Sequence, residues 1–266
     1  MYIKSNKSTF FITKDRHINN TPMLFIHGFT GSSKSWDNIR KEINISSLSI
    51  DIPGHSKSIF NSLNEEYYFK DFSNELYIAL KKLEIKKLHI CGYSLGGRLA
   101  LAFASKFPDI ISSLFLESTT LGIDDRSERE ERYLSDINIS TTITENLNEF
   151  NKNWESNKLF ELQEERNEYD FSAQRDIRNS HNKEQLSKSL KTFSLGTMPF
   201  MLNNFQKLNF PIYIVNGKDD IKFIKEGRLM LKLNDNAKQF IVNDASHNVH
   251  LENKEMYLDI FNSIYK

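Results

Sequence analysis

The sequence predicts an α/β fold, in which a mostly parallel central sheet is flanked by helices and carries an inserted helical cap. Short apolar runs alternate with stretches of helical periodicity along most of the chain. One such run leads through a glycine-rich turn at residues 92–96 directly into a helical pattern. A charged segment with few strand signals, residues 124–208, then interrupts this alternation. Strands that alternate with helices favour parallel pairing, because each helix returns the chain to the same end of the sheet.

The predicted strands begin with a short hairpin near the N-terminus. Each run is short and is bounded by polar or turn-forming residues, as is typical of buried strands. The hairpin covers residues 2–4 and 9–14, and further strands are predicted over residues 23–26, 48–51, 87–91, 113–116, 211–216 and 238–243.

Helical periodicity lies between these strands. Phe72, Leu76, Leu80 and Leu83 recur at helical spacing and predict a helix over residues 71–83. Other helices are predicted over residues 35–43 and 256–264.

Residues 124–208 are predicted to form a helical cap, inserted between two strands of a core that comprises residues 1–123 and 209–266. The cap segment is rich in charged residues and has a helical pattern. An ordinary run of solvated helices would show the same pattern, so this alternative stays open.

Charge and composition exclude several classes of protein. Lys and Arg total 35 and Asp and Glu total 35, so the net charge is zero and gives no general attraction to nucleic acid or anionic membrane. The single cysteine, Cys91, excludes an internal disulfide. The sequence shows neither a bilayer-spanning apolar run nor the apolar core of a signal peptide. We therefore expect a cytoplasmic monomer or homodimer that binds neither nucleic acid nor membranes.

The turn at residues 92–96 reads Gly-Tyr-Ser-Leu-Gly and lies between a predicted strand and a predicted helix. This context is typical of a nucleophile elbow, in which a serine sits on a strained turn with its hydroxyl exposed. The flanking glycines are needed because a Cβ there would collide with the neighbouring strand or helix. The pattern is weak alone and becomes specific only with partners downstream.

The expected partners of Ser94 follow two later strands. In α/β hydrolases the chain order is serine, acid, histidine. Asp219 and Asp220 follow the strand at 211–216, and His247 follows the strand at 238–243. We favour Asp220 over Asp219 because it lies three residues after Gly217, in the usual G-x-x-D spacing. Since carboxyl ends of parallel strands meet at one edge of the sheet, Ser94, Asp220 and His247 are expected to converge as a catalytic triad.

The expected oxyanion hole combines the backbone N–H groups of Phe29 and Leu95. Leu95 follows the serine, and Phe29 lies in the glycine-containing loop after the first core strand. No cofactor or metal is predicted, because neither a ligand cluster nor a phosphate-binding glycine loop stands out. His247 and His250 could form a metal-binding pair, but a structural or substrate-contacting role for His250 is favoured.

Several motifs together resemble one family of the α/β-hydrolase fold, the 2-succinyl-6-hydroxy-2,4-cyclohexadiene-1-carboxylate synthases of menaquinone biosynthesis. The resemblance covers residues 27–253. It is carried by the strings at residues 92–98 (GYSLGGR), 117–123 (ESTTLGI), 128–132 (EREER), 177–179 (IRN), 217–223 (GKDDIKF) and 246–253 (SHNVHLEN), with Asp136 and Trp154. One departure is Lys254, which stands where the family usually has proline.

The resemblance implies an elimination rather than a hydrolysis. The implied substrate is a tricarboxylate, 2-succinyl-5-enolpyruvyl-6-hydroxy-3-cyclohexene-1-carboxylate. Ser94, activated by His247 and Asp220, would remove a ring proton, and pyruvate would leave. Charge that develops as the proton departs would be stabilised by the oxyanion hole.

The basic residues fit such a substrate, because arginine binds carboxylates with two parallel hydrogen bonds. Arg98 lies four residues after Ser94 on the same predicted helix, and Arg129 and Arg132 lie three apart among glutamates. A solvated ion-pair face is the alternative for the latter two. The family positions imply that Arg98, Arg129 and Arg178 bind carboxylates and that Tyr93 and Trp154 line the pocket; the role of Arg132 stays open.

Two other functions remain as alternatives. A serine hydrolase of small esters or carbon–carbon bonds would use the same triad, although such pockets are more often apolar. A non-catalytic ligand-binding protein would not need Ser94, Asp220 and His247 together.

Overall fold

The computed structural model describes residues 1–15 and 21–265, and its framework is one mixed sheet. The strands of the described part are β1 (Tyr2–Lys4), β2 (Ser8–Lys14), β3 (Met23–Ile26), β4 (Ser47–Ile50), β5 (Ile59–Phe60), β6 (Leu88–Tyr93), β7 (Ile111–Glu117), β8 (Ile212–Gly217) and β9 (Ala237–Val242). Their order in the sheet is β1-β2-β4-β3-β6-β7-β8-β9, and β5 pairs with β2.

The sheet is antiparallel at one edge and parallel elsewhere. Strand β2 runs antiparallel to β1, β4 and β5. All pairs from β4 through β3, β6, β7 and β8 to β9 are parallel. The predicted mostly parallel sheet is therefore confirmed, whereas the sequence analysis did not predict β5.

The helices of the described part lie between these strands and after the last of them. They are α1 (Asp37–Arg40), α2 (Phe69–Lys82), α3 (Leu95–Lys106), α4 (Arg126–Glu145), α5 (Leu147–Glu155), α6 (Gln163–Arg166), α7 (Glu168–Asn179), α8 (Lys183–Thr192), α9 (Leu202–Gln206), α10 (Ile221–Leu233), α11 (Val249–Glu252) and α12 (Lys254–Ile264). Within residues 1–15 and 21–265, no helix combines the length and the apolar composition that a membrane span requires.

The bounds of the helix predicted over residues 35–43 were wrong. It begins earlier, with a 3-10 turn at Ser33–Trp36, and α1 ends at Arg40. The early start follows from Ser32, whose hydroxyl accepts a hydrogen bond from the backbone N–H of Lys34 at 3.2 Å. Such a side-chain cap satisfies a backbone donor that the first helical turn leaves unpaired.

The parallel part of the sheet is covered on both faces. Successive side chains of a strand point to opposite faces, and every residue of β3 is buried. Leu24 and Ile26 pack into the apolar core beneath α2 and α3. Met23 and Phe25 face the other side, where they join Phe261 of α12.

Helices α4 to α9 lie between β7 and β8 in the sequence. Helix α4 packs along α8, and these two helices and α5 share a small apolar cluster of Ile143, Phe150, Leu186 and Leu190. Phe29, from the loop after β3, packs against this cluster. These helices therefore have an apolar centre of their own above the carboxyl edge of the sheet. The division into a core and a cap domain stays a prediction.

Candidate active site

Ser94 sits on a strained turn between β6 and α3. Its backbone φ is 51° and its ψ is −109°, which is rare for a residue with a Cβ. The turn is possible because glycine stands on both sides. A Cβ on Gly96 would lie 2.1 Å from the carbonyl oxygen of Ile26, and one on Gly92 would lie 2.5 Å from that of Gly96. These close approaches leave the Ser94 hydroxyl at the edge of the sheet.

The Ser94 hydroxyl is the first member of a line of three hydrogen-bonded side chains. Its Oγ lies 3.0 Å from Nε2 of His247, and Nδ1 of the same ring lies 2.8 Å from Oδ2 of Asp220. In the neutral tautomer that fits these contacts, Nδ1–H donates to the carboxylate and Nε2 accepts from the serine hydroxyl. This is the arrangement in which a histidine can take the serine proton.

The loops at the ends of β8 and β9 position the two partners of Ser94. Asp220 follows β8 and caps α10, where its Oδ1 accepts a hydrogen bond from the N–H of Phe223 at 3.4 Å. His247 follows β9 and is almost fully buried. The Phe223 ring lies 4.6 Å from the His247 ring, and the Phe160 ring of the cap lies 6.1 Å away. Aromatic walls exclude water from the imidazole and strengthen its electrostatic contacts.

The two backbone N–H groups of the expected oxyanion hole belong to residues that line the same cavity as Ser94. Neither the N–H of Phe29 nor that of Leu95 has an acceptor among residues 1–15 and 21–265. The loop of Phe29 is held from two sides: Nδ1 of His27 donates to the carbonyl of Gly28 at 2.7 Å, and Nε2 of His181 donates to that of Thr30 at 2.9 Å. Unpaired, rigidly held donors of this kind can bind a developing oxyanion.

Ser94 and His247 open onto a cavity of about 880 Å³ between the sheet edge and the cap helices. Phe29, Leu95 and Trp154 also line it. Its charged lining residues are the cations Arg98, Arg126, Arg132 and Lys222 and the carboxylates Asp124, Asp125, Glu128, Asp136 and Glu226. The volume suits a small organic molecule, and the charges favour a polar ligand over a lipid-like one.

Two of the cavity arginines, Arg98 and Arg132, differ in how their charge is compensated. Arg132 pairs with Asp136, Nε to Oδ2 at 3.0 Å and to Oδ1 at 3.1 Å, and Ser194 also donates to that carboxylate at 2.7 Å. Arg98 donates from Nη1 only to the carbonyl oxygen of Phe193, at 3.0 Å. Burial, followed by the charge of Arg132, lowers the pKa of Arg98 to about 9, although Asp136 opposes the shift. Among residues 1–15 and 21–265, the Arg98 guanidinium thus has no carboxylate partner of its own.

Trp154 carries an unused donor at the cavity. Its ring lies 5.4 Å from that of Phe29. Its indole N–H is buried and has no acceptor in the described part of the chain. Buried donors without a partner are rare, so this group is available to an oxygen of a bound ligand.

Three predicted substrate-binding residues, Arg129, Arg178 and Tyr93, are not among the residues that line the cavity. Arg178 is buried at 1% exposure and donates to Oε1 of Glu155 at 3.0 Å, so the carboxylate it binds belongs to the protein. Arg129 lies on the stretch of α4 that packs against Gly196, where a Cβ would lie 2.4 Å from the Arg129 carbonyl oxygen.

Tyr93 lies beneath the site rather than in the cavity. Its ring lies 5.5 Å from the ring of His247 and 5.2 Å from that of His250. His250 contacts the buried carboxylate of Glu117, Nδ1 to Oε2 at 2.8 Å. This pairing gives His250 a structural role. The described residues contain no group of three potential ligands arranged for a metal ion.

The charged residues of the cavity that sequence reasoning missed include Arg126, Lys222 and Glu226. Lys222 stands in a string that carried the family resemblance, which was an available signal. Glu226 lies one turn further along α10 and accepts a hydrogen bond from Thr120 at 2.8 Å. Arg126 and Glu226 had no such signal, because each reaches the cavity only through the packing of its helix.

Comparisons with known proteins agree with this fold. The model of the α/β hydrolase fold family matches residues 21–254. A putative 2-succinyl-6-hydroxy-2,4-cyclohexadiene-1-carboxylate synthase of Bacillus subtilis (strain 168) is 31% identical over 88% of this chain and 86% of its own. The synthase of Salmonella agona (strain SL483) is 28% identical over 89% of this chain and 90% of its own.

Solved structures show the same fold. MenH from S. aureus superposes with a TM-score of 0.89 at 27% identity and covers 96% of both chains. The enol-lactonase of Burkholderia xenovorans LB400 superposes with a TM-score of 0.80 at 18% identity, over 99% of this chain and 98% of its own. The second likeness concerns the fold alone.

Proposed function

The chain belongs to the α/β hydrolase fold family and, within it, to the 2-succinyl-6-hydroxy-2,4-cyclohexadiene-1-carboxylate synthases, and from this premise we propose how its site performs their reaction. The protein is an enzyme of menaquinone biosynthesis, a lyase that releases pyruvate from a small-molecule substrate. A cytoplasmic location, a monomeric or homodimeric state and the absence of nucleic-acid partners stay predictions.

We propose that Ser94 Oγ removes a ring proton from the substrate while His247 Nε2 takes the serine proton. Asp220 stabilises the resulting imidazolium. The electron pair of the broken C–H bond at C2 of the ring forms the C2=C3 double bond, and the existing C3=C4 double bond moves to C4=C5. The C–O bond from C5 to the enolpyruvyl group breaks. Enolpyruvate departs and becomes pyruvate when its methylene carbon gains a proton, which balances the one lost from the ring. The N–H groups of Phe29 and Leu95 stabilise the charge that develops in between.

The observation that carries the proposal is Arg98, which lines the cavity that also holds Ser94 and pairs with no carboxylate in the described part of the chain. Keeping such a charge away from water is unfavourable unless an anion arrives to pair with it. We propose that Arg98 binds a substrate carboxylate, with the Trp154 indole N–H as a further donor. Arg132 takes the place of Arg129 in this proposal, because Arg132 lines the cavity.

The proposal is tested with the enolpyruvyl cyclohexene substrate and Ser94→Ala. We expect wild type to release pyruvate and to form the diene in equal amounts. Ser94→Ala is expected to lose about 1,000-fold or more in kcat, because the remaining groups can neither take nor relay the proton. Pyruvate release and diene absorbance are followed together.

Ser263→Ala is the matched control, since Ser263 is exposed on α12 and its hydroxyl contacts only the Ile260 carbonyl. Wild-type turnover by the Ser94→Ala variant would show that Ser94 is not the base. Hydrolysis of small activated esters by wild type, without any pyruvate release, would favour the serine hydrolase alternative.

A further inference from the structure

Arg166, at the end of α6 in the cap, contacts both loops that carry partners of Ser94. One guanidinium nitrogen pairs with Glu252 at the end of α11, and the other pairs with Asp219 in the loop after β8. Asp219 precedes the triad acid Asp220 directly. Among the ion pairs of residues 1–15 and 21–265, no other cation pairs with Glu252 or with Asp219.

Glu252 in turn holds the loop of His247 from both sides. Its carboxylate accepts hydrogen bonds from the backbone N–H of Ser246 at 2.8 Å and from that of Asn248 at 3.2 Å. The Ser246 hydroxyl also donates to it, at 2.7 Å. The side chain of Glu252 is fully buried, and a buried carboxylate requires a partner charge to keep such an arrangement stable.

The cap reinforces this connection at the next residue. The side-chain amide of Asn167 donates to the carbonyl oxygen of Leu251, within α11, at 3.0 Å. The end of α6 is therefore attached to α11 by an ion pair and a hydrogen bond, and to the β8 loop by a second ion pair.

We propose that Arg166 is a positioning residue, which holds the histidine loop and the acid loop in register so that Asp220, His247 and Ser94 stay aligned. Arg166 does not line the cavity, so its effect reaches the reaction through the triad rather than through contact with substrate. This inference deepens the proposed function and rests on the same triad.

Arg166 also pairs with two of the carboxylates on the loops around the His247 ring. The carboxylates around it are Asp220, in direct contact, and Asp219 and Glu252, both paired with Arg166. Without Arg166, two uncompensated carboxylates would favour the imidazolium. Other charged groups of the site are the Glu117–His250 pair behind Tyr93 and the charged residues that line the cavity, which include Arg98, Lys222 and Glu226.

The test compares wild type with Arg166→Gln and Arg166→Lys by the rate at which a fluorophosphonate probe labels Ser94. This labelling needs an aligned, neutral histidine but not the natural substrate. We expect Arg166→Gln to label about tenfold more slowly, because a loosened loop misplaces the base. The acid limb of its pH–rate profile is expected to move up by about half a pH unit. Arg166→Lys keeps the charge and should leave that limb in place while recovering part of the rate.

Arg175→Gln is the matched control. Arg175 is also a cap arginine with two carboxylate partners, but Glu155 and Glu164 both lie within the cap. We expect wild-type labelling and an unchanged pH profile in this variant. For pyruvate elimination, kcat of Arg166→Gln should fall with the labelling rate, while KM stays within about twofold of wild type, since Arg166 lies outside the cavity.

Three outcomes would overturn the proposal. An Arg166→Gln protein with wild-type labelling rate and pH profile, whatever its melting temperature, would show that the residue only stabilises the fold. An equal loss in Arg175→Gln would trace the effect to the cap in general. If the Arg166→Gln protein does not fold, the Arg166→Lys protein serves as the test. Labelling of that variant at the wild-type rate at every pH would show that the guanidinium does not position the triad. If the wild-type protein is labelled but releases no pyruvate, the proposed function is contradicted. The comparison of labelling rates between wild type and the Arg166 variants remains valid in that case.

Discussion

At the scale of single residues, the cavity combines compensated and uncompensated charge. Arg132 has its own carboxylate in Asp136, whereas the partner of Arg98 among the described residues is a backbone carbonyl. The buried Arg178 is likewise paired, with Glu155. The energetic consequence of binding an anion therefore differs among arginines that the sequence presents as equivalent. The largest gain is expected where the free protein leaves the guanidinium without a partner.

We expect Arg98→Ala to lower kcat/KM for the tricarboxylate by roughly 10- to 100-fold, the effect of losing a hydrogen-bonded charge pair of about 1.5–3 kcal/mol. Arg98→Lys should recover only part of this, because it keeps the charge but loses the planar fork. Steady-state kinetics on the purified variants measures both.

Arg228→Ala is the control for Arg98, since Arg228 is exposed on α10. An Arg98→Ala enzyme with unchanged kcat/KM would exclude this residue from substrate binding.

At the scale of elements, the site depends on how closely β6, β3 and α3 approach one another. Ser94 bonds through its backbone N–H to the carbonyl of Glu117 in β7 at 2.8 Å, and Thr119 donates to the Ser94 carbonyl at 3.0 Å. The first turn of α3 touches the backbone of β3 at Gly96. Three strands and one helix thus position a single hydroxyl, and a small change in their spacing displaces it.

Gly96→Ala is expected to lower the free energy of unfolding by about 1–3 kcal/mol, because the added Cβ meets the Ile26 backbone and forces the two elements apart. Its kcat should fall further than the loss of folded protein explains, since Ser94 moves with the helix. Urea unfolding and turnover of the folded fraction measure the two effects.

Ala102→Gly, on the same helix, should cost about 1 kcal/mol through helix propensity alone and keep its activity. Equal activity losses in the two variants would argue that helix stability, rather than the close approach, determines activity.

At the scale of the whole molecule, the cap is joined to the catalytic loops rather than resting on them. His181, after α7, donates to Thr30 of the oxyanion loop, and Arg166 contacts both triad loops. His181 also belongs to a line of buried rings, since His55 lies 5.4 Å from it and 5.1 Å from His27. Loosening the cap is therefore expected to disturb the chemistry as well as substrate access.

These buried histidines predict a loss of stability in acid. Burial lowers the pKa of His27 to about 4 and also lowers the pKa of His55 and His181. Between pH 6.5 and about 4 the unfolded chain therefore binds more protons than the folded one, and stability falls as the pH falls. At about 1.4 kcal/mol per pKa unit, His27 alone accounts for about 3 kcal/mol near pH 4.

Urea midpoints from pH 7.5 to 4.5 measure this effect. His55→Leu should show a shallower loss, because it removes one of the rings whose pKa is lowered by burial. A midpoint that stays constant between pH 6.5 and 5 would contradict the prediction.

Much of the fold and of the triad geometry could be predicted because the signals are local. Strand runs, the glycine turn around Ser94 and the G-x-x-D spacing that favoured Asp220 each lie within a few residues. The short strand β5 escaped prediction because two residues carry no periodicity. The helix predicted at residues 35–43 has the wrong bounds because the helix start is fixed by the N-cap residue Ser32, whose hydrogen bond depends on backbone geometry.

The α/β class, the positions of most strands along the chain and the serine, acid and histidine that follow three of them were predictable from the sequence, because they depend on periodicity and spacing along the chain. Which arginines reach the cavity, and which of them are paired with carboxylates, depends instead on the packing of distant elements. Arg178 and Glu155 are 23 residues apart, and Arg166 and Glu252 are 86 apart. Such pairs form only when packing brings distant elements together, and no local pattern records that distance.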